Sequence, residues 1–168
     1  IDALLFPEDE REIVEVVRFL RERQVPFLPV GNWTNLIVRD GGFRGALISL
    51  ARLCGLSLRE NSEKGALIEA EAGCPLSELV TLAVREALSG MAFCAGIPGS
   101  VGGAVRMNAG AYGGEIKNIV ETVRLLDDSR AIRSVGKKEL RFKYRSLDMP
   151  AETIIIGATF RLRKGDGG

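Results

Sequence analysis

Histidine is absent from this 168-residue chain. That absence excludes Ser-His and Cys-His nucleophilic chemistry and any metal site built on imidazole. Cysteine is scarce. Cys54, Cys74 and Cys94 are an odd number at wide spacing, which matches neither a disulfide framework nor a zinc site. They read instead as small, buried, apolar residues. Aromatic residues make up only 6% of the chain, and none interleave with basic ones into a platform for stacking bases. Charge of one sign is lacking too: Lys+Arg 23 against Asp+Glu 22 leaves +1. Such a balance creates no field for nucleic acid or an anionic membrane. There is no apolar run long enough to cross a bilayer and no secretory leader, so the expectation is a cytoplasmic protein without nucleic-acid or membrane partners. Any catalysis must rely on a cofactor, an Arg, a carboxylate, a Tyr or a hydroxyl.

What is present is an ordinary globular composition, 46% hydrophobic and 27% charged, with room for one domain or two small lobes on a shared core. Ala3 to Phe6 reads as a strand interrupted by Pro7. Glu8 to Arg23 reads as a helix, acidic at its start and Arg-rich at its end. Ile13, Val16, Val17 and Leu20 follow helical spacing and mark its buried face. Phe27 to Val30 is a second strand, which suggests a parallel βαβ unit. Leu36–Val38 and Ala46–Leu50 are further strands, separated by a turn at Asp40-Gly41-Gly42.

Ala66 to Ala72 reads as a strand. Pro75 opens a second helix in its first turn, with Leu76, Leu79, Val80, Ala83 and Ala87 as the apolar face and Gly90 after its end. Val120–Asp127 and Ala131–Val135 form a hairpin around Asp128-Ser129-Arg130. Lys137–Leu140 is one helical turn, and Thr153–Arg163 is a long last strand. The fold class is α+β. A small βαβ lobe covers residues 1–50, a larger and mostly antiparallel lobe covers 51–168, and the cleft between lobes is a natural ligand site.

Two glycine-bearing segments carry the chemistry. Residues 96–114 contain Gly96, Gly99, Gly102, Gly103, Gly110, Gly113 and Gly114, with no acidic side chain among them. Ile97, Val101, Val105, Met107 and Tyr112 make this too apolar for a linker. Backbone N–H groups in such a run can cradle an anion such as phosphate. The second segment, Gly31-Asn32-Trp33-Thr34-Asn35, follows a strand end and offers amides and a hydroxyl. Taken alone it reads as a turn. Neither segment is a P-loop or a Rossmann fingerprint. Two loops in two lobes suggest a dinucleotide with its pyrophosphate at the junction.

Four motifs occur in order: Gly31-Asn32-x-Thr34-Asn35-Leu36, Ala95-Gly96-Ile97-Pro98-Gly99-Ser100-Val101-Gly102-Gly103-Ala104, Met107-Asn108-Ala109-Gly110-Ala111-Tyr112-Gly113, and Phe142-x-Tyr144-Arg145. Together they resemble the FAD-binding part of the UDP-N-acetylenolpyruvoylglucosamine reductase (UDP-N-acetylmuramate dehydrogenase) family. That family lies in the vanillyl-alcohol oxidase and p-cresol methylhydroxylase flavoprotein superfamily. The resemblance implies that NADPH reduces FAD and that hydride then passes to the enolpyruvyl group of a UDP-N-acetylglucosamine derivative, in peptidoglycan synthesis. It implies that loops 31–35 and 96–103 hold the pyrophosphate and ribityl portions of FAD, through Gly31, Asn32, Thr34, Asn35, Leu36, Ala95, Gly96, Ile97, Pro98, Gly99, Ser100, Gly102 and Gly103. Asn108, Gly110, Ala111 and Gly113 would continue along the flavin. Ile155 would pack on it, and Tyr112 would stand on the substrate side. Arg145 is the implied catalytic residue, because a guanidinium can bind the substrate carboxylate in two-point fashion and stabilise charge spreading onto it. Tyr144 would pack or orient.

The chain departs from the family at Trp33, where glycine is usual, at Arg106, where an aromatic is common, and at Leu147, where Ser is common. Measured against the family, the opening Arg-Ile-Gly-Gly segment is missing. So is the further substrate domain, with its proton-donating Ser and distal Glu, beyond Lys164-Gly165-Asp166-Gly167-Gly168. The expectation is therefore a FAD-binding part that turns over poorly on its own, from an enzyme that is monomeric at full length. Two alternatives stand beside it: another flavin-dependent oxidoreductase of the superfamily, and a non-catalytic nucleotide-binding module.

Overall fold

The structure is a computed structural model and describes residues 1–63, 65–128 and 131–165. Two sheets share one core. The first is three-stranded and parallel, with β1 (Ala3–Leu5) and β2 (Phe27–Val30) flanking β3 (Ala46–Ser49). The expected βαβ unit is present, but β3 inserts between its two strands. As the central parallel strand β3 is buried along its whole length, which is why it reads as a plain apolar run. Helix α1 (Glu10–Glu22) makes the crossover from β1 to β2. Asp9 caps it, with Oδ1 accepting from the N–H of Glu12 at 2.9 Å. Ile13, Val17 and Leu20 face the core.

The second sheet is six-stranded and antiparallel. Its strands are β4 (Leu56–Ser62), β5 (Gly65–Glu71), β6 (Leu88–Ser89), β9 (Val120–Leu126), β10 (Ile132–Gly136) and β13 (Ile154–Lys164). The long strand β13 lies at its centre, between β9 and β5, and also carries β6. Helix α2 (Leu76–Arg85) packs through Leu76, Leu79, Leu82 and Ala83. Between β6 and β9 the chain forms a 3-10 turn at Ala92–Cys94, helix α3 (Val101–Arg106), the strand pair β7 (Gly110–Ala111) and β8 (Gly114–Glu115), and the short helix α4 (Ile116–Ile119). A last pair, β11 (Phe142–Lys143) and β12 (Ser146–Leu147), precedes β13.

Residues of both sheets join one buried cluster, from Ile13 and Ile48 to Ile68, Leu79 and Phe160. Polar bridges reinforce the contact. Arg124 on β9 pairs with Glu10 of α1 and with Glu69 of β5. Arg21 donates to the carbonyl of Asp127 at 2.9 Å.

Several expectations need correction. Leu36–Val38 is not a strand: no neighbour pairs with it among the described residues, and Ile37 is 94% exposed. Strand β4 escaped notice because Leu-Ser-Leu-Arg-Glu-Asn-Ser is a mostly polar edge strand. Helix α3 lay hidden under its two glycines. Lys137–Leu140 is a hydrogen-bonded turn, not a helical one. Pro75 stands at the cap of α2, outside its first turn. Ala87, left-handed at φ +52°, reverses the chain after that helix, so Gly90 does not end it and Ala87 is not on its buried face. Cys74 and Cys94 are buried as expected, but Cys54 is exposed. Ser129 and Arg130 of the expected hairpin turn, and Asp166–Gly168 at the end of the chain, lie outside the described residues.

Candidate functional site

The two glycine segments meet. Loop 31–35 leaves the end of β2, and Ser100 caps α3 with its Oγ accepting from the N–H of Gly103 at 3.4 Å. A Cβ at Gly31 would collide with Ser100 Oγ as it stands, so any larger residue would have to turn that hydroxyl away. Thr34 Oγ1 donates to the carbonyl of Pro98 at 3.4 Å. Gly99 beside it takes φ +132°, a conformation that side chains strain to adopt. Between the loops lies a cavity of about 540 Å³. Gly31, Asn32, Trp33, Thr34, Asn35 and Leu36 form one wall; Ile97, Pro98, Gly99, Ser100 and Gly103 form the other. Ala104, Met107 and Ala109 continue it, and Arg145 is the one charged residue that lines it.

The donors for an anion are unevenly distributed. At the start of α3 they are already used: Val101 N–H donates to Cys74 O at 2.9 Å and Gly102 N–H to Ala72 O at 2.8 Å. Among the described residues, no N–H from Gly31 to Asn35 donates within the protein. The first loop, which reads as a turn in the sequence, is therefore the better supply of unpaired donors. The glycines of the second loop serve close packing as well. A Cβ at Gly102 would lie 2.8 Å from that of Ala72.

A smaller cavity of about 160 Å³ adjoins the first and shares Arg145 with it. Asn108, Gly110, Ala111, Tyr112, Gly113, Gly114, Glu115 and Tyr144 complete its lining. Tyr112 sits at the tip between β7 and β8 and is 96% exposed. Tyr144 and Arg145 sit at the tip between β11 and β12, with the guanidinium 6.0 Å from the centre of the Tyr144 ring. Asn108 braces both tips. It is buried, and its amide nitrogen donates to Glu115 Oε2 at 2.7 Å and to the carbonyl of Lys143 at 3.1 Å. Its amide oxygen accepts from Lys117 N–H at 3.0 Å.

Glu115 was not anticipated. Its carboxylate accepts from Lys117 Nζ at 2.8 Å. The Lys117 and Asn108 hydrogen bonds hold its pKa below the usual 4.5, and the nearby Arg145 charge acts in the same sense. A signal for it existed in the sequence, since it is the first acidic residue after the acid-free run 96–114. Trp33, Ala104 and Met107 are also lining residues absent from the expected set.

Four expected residues line neither cavity. Ala95 and Gly96 precede the second loop, Gly102 packs on Ala72, and Ile155 is buried in β13 opposite Leu125. Among the described residues, six that are not glycine have positive φ: Gln24, Trp33, Ala87, Asn108, Tyr112 and Arg145. All but Gln24 and Ala87 line these cavities. Strained backbone gathers where a site is held in shape by its surroundings.

A family model described as an FAD binding domain matches residues 1–135. The chain belongs to the FAD binding domain family. This FAD binding domain is 47% identical to the UDP-N-acetylenolpyruvoylglucosamine reductase of Syntrophus aciditrophicus (strain SB), over 98% of this chain and 53% of that protein. To the enzyme of the same name from Streptococcus suis (strain 05ZYH33) it is 42% identical, over 99% of this chain and 54% of that protein. The chain thus spans about half the length of the curated relatives it matches. The crystal structure of UDP-N-acetylenolpyruvylglucosamine reductase from Thermus caldophilus superposes with a TM-score of 0.77 at 31% identity, covering 96% of this chain and 56% of that one. A cholesterol oxidase from Brevibacterium sterolicum superposes at 0.70 with 17% identity, over 96% of this chain and 34% of that one, which is likeness of fold alone. Among the described residues no helix is long and apolar enough to cross a membrane, and no cluster of His, Cys, Asp and Glu could hold a metal ion.

Proposed function

We propose that this protein is the FAD-binding part of an NADPH-dependent UDP-N-acetylenolpyruvoylglucosamine reductase, which forms the UDP-N-acetylmuramate precursor of peptidoglycan in the cytoplasm. The observation that carries this reading is the position of Arg145, on the wall common to a large glycine-edged cavity and a small one. A dinucleotide fits the larger cavity on three counts. Its wall holds no carboxylate, loop 31–35 has N–H groups without internal acceptors, and glycines at 31 and 99 leave the backbone bare.

Gly31, Asn32, Thr34, Asn35 and Leu36 would hold the cofactor from the lobe of residues 1–50, and Ile97, Pro98, Gly99, Ser100 and Gly103 from the lobe of residues 51–168. When bound, FAD supplies the hydride-transfer chemistry that no side chain of this protein can perform. Arg145 binds the carboxylate of the UDP-N-acetylglucosamine enolpyruvate substrate through both arms of its guanidinium. There it stabilises the negative charge that develops next to that carboxylate. Tyr112 and Tyr144, exposed on the two tips, orient the substrate at the mouth of the smaller cavity.

Purified protein should be yellow and should release FAD on denaturation. In the reductase that carries this chain, Arg145→Lys should keep the flavin spectrum and lower kcat about 10²-fold. A colourless protein that takes up no FAD, or an Arg145→Lys enzyme of full activity, would refute the reading.

A further inference from the structure

We propose that Trp33 is an aromatic contact for a flat heterocycle of the bound dinucleotide; this rests on the FAD reading of the same cavity. Trp33 is the one tryptophan of the chain and the one aromatic residue lining the larger cavity. Two unfavourable features meet in it. Its backbone is left-handed, at φ +60°, a conformation rare for bulky residues. The residue is 43% exposed, so a large apolar side chain is only partly removed from water. Glycine would suit this backbone without strain.

The side chain therefore offers an occupant of the cavity contact area that the described residues leave unused. Asn32 and Thr34 flank it with polar groups, and the facing wall is apolar at Ile97, Pro98, Ala104 and Met107, with the Ser100 hydroxyl among them. An anionic group held by the loop places an attached ring within reach of the indole face. Stacking on an aromatic side chain recognises any planar heterocycle, because every such ring has a π-face.

The test is FAD affinity by equilibrium dialysis alongside thermal melting of the ligand-free protein. Trp33→Gly should weaken FAD binding about tenfold or more, by loss of the stacking contact. The same substitution should raise the melting temperature, because the strain is removed. Trp33→Phe should bind FAD within about threefold of the parent. ADP and FMN, measured in the same way, identify the ring: the fragment that loses affinity with Trp33→Gly carries it. A Trp33→Gly protein that binds FAD as tightly as the parent overturns the inference. So does one whose affinity and melting temperature fall together, the mark of a merely structural residue. A parent protein that binds no FAD overturns the cavity assignment itself, and this inference with it.

Discussion

Replacing Asn108 by alanine should loosen the site and the fold together. The side chain is buried and makes the three hydrogen bonds that tie the β7–β8 tip, the start of α4 and the β11–β12 tip to one point. Alanine removes all three. It strands the carbonyl of Lys143 and the N–H of Lys117, both in part-buried hydrogen bonds, and each such group costs up to about 1–3 kcal/mol if water does not replace the partner. Glu115 loses one donor but keeps Lys117, so its share is smaller. Alanine must also take φ +41°, where asparagine is at home and alanine is not. Some recovery through water entry brings the expected loss to about 3 kcal/mol. For a chain of this length that corresponds to a fall of about 6–12 °C in melting temperature. Urea unfolding followed by circular dichroism measures it directly, as a lower midpoint at unchanged slope. A loss below about 1 kcal/mol would refute the reasoning, because it would mean these bonds exchange freely with water. Asn108→Asp is the control. It keeps size and left-handed tolerance but turns two donors into acceptors facing Glu115 and Lys143. At neutral pH it should be at least as damaging as alanine, and acidification should relieve it.

Two further outcomes follow from the ionisable groups. Burial pushes the thiol of Cys74 up to about 11 and that of Cys94 up to about 12, whereas Cys54 is exposed. A thiol reagent at pH 8 should therefore label Cys54 alone in the native protein and all three cysteines in denaturant; rapid native labelling of a second would show that the core opens. Glu115 and Asp9 have pKa values lowered below 4.5 and 3.8, by Lys117 and Asn108 in the first case and chiefly by the N–H of Glu12 in the second. Their contribution is present above those unfolded values and is lost as pH falls through the depressed folded ones, so the urea midpoint should hold to about pH 5 and then drop. Glu115→Gln should flatten part of that drop, and an unchanged acid limb would remove Glu115 from the account.

Elements that carry their own local signals were legible in the sequence. Helix α1 has a capping Asp9, acidic residues in its first turn and a regular buried face. Strand β13 is a long β-branched and apolar run, because it lies between two neighbours at the centre of its sheet. Where partners decide the outcome, the reading failed. Leu36-Ile37-Val38 looks like a strand but pairs with no neighbour among the described residues. Strand β4 looks like a loop but has β5 to pair with. Helix α3 contains two adjacent glycines, which propensity argues against. It forms because Ser100 caps it and because Gly102 fits against Ala72 where a larger residue would not. The motifs of the site could be quoted from the sequence, and the structure brings most of them to two adjoining cavities. Their division of labour could not. That depends on which N–H groups the fold consumes at the start of α3 and which it leaves open at Gly31–Asn35.

The same geometry links cofactor binding to stability. Loop 31–35 extends from the parallel sheet, whereas Ser100 and α3 are tied by hydrogen bonds to Ala72 and Cys74, beside β5 of the antiparallel sheet. An occupant held by both loops is thus fastened to both sheets. Without it they are joined by the shared core and by bridges such as Arg21 and Arg124. Binding to the folded state alone adds about 2.7 kcal/mol when ligand stands at a hundred times Kd. In this fold that increment acts across the contact between sheets, where the chain itself supplies few polar ties. Alanine substitutions at Gly31 or Gly99 should therefore weaken the ligand-bound protein more than the ligand-free one, because they damage the loops from which the occupant bridges the two sheets.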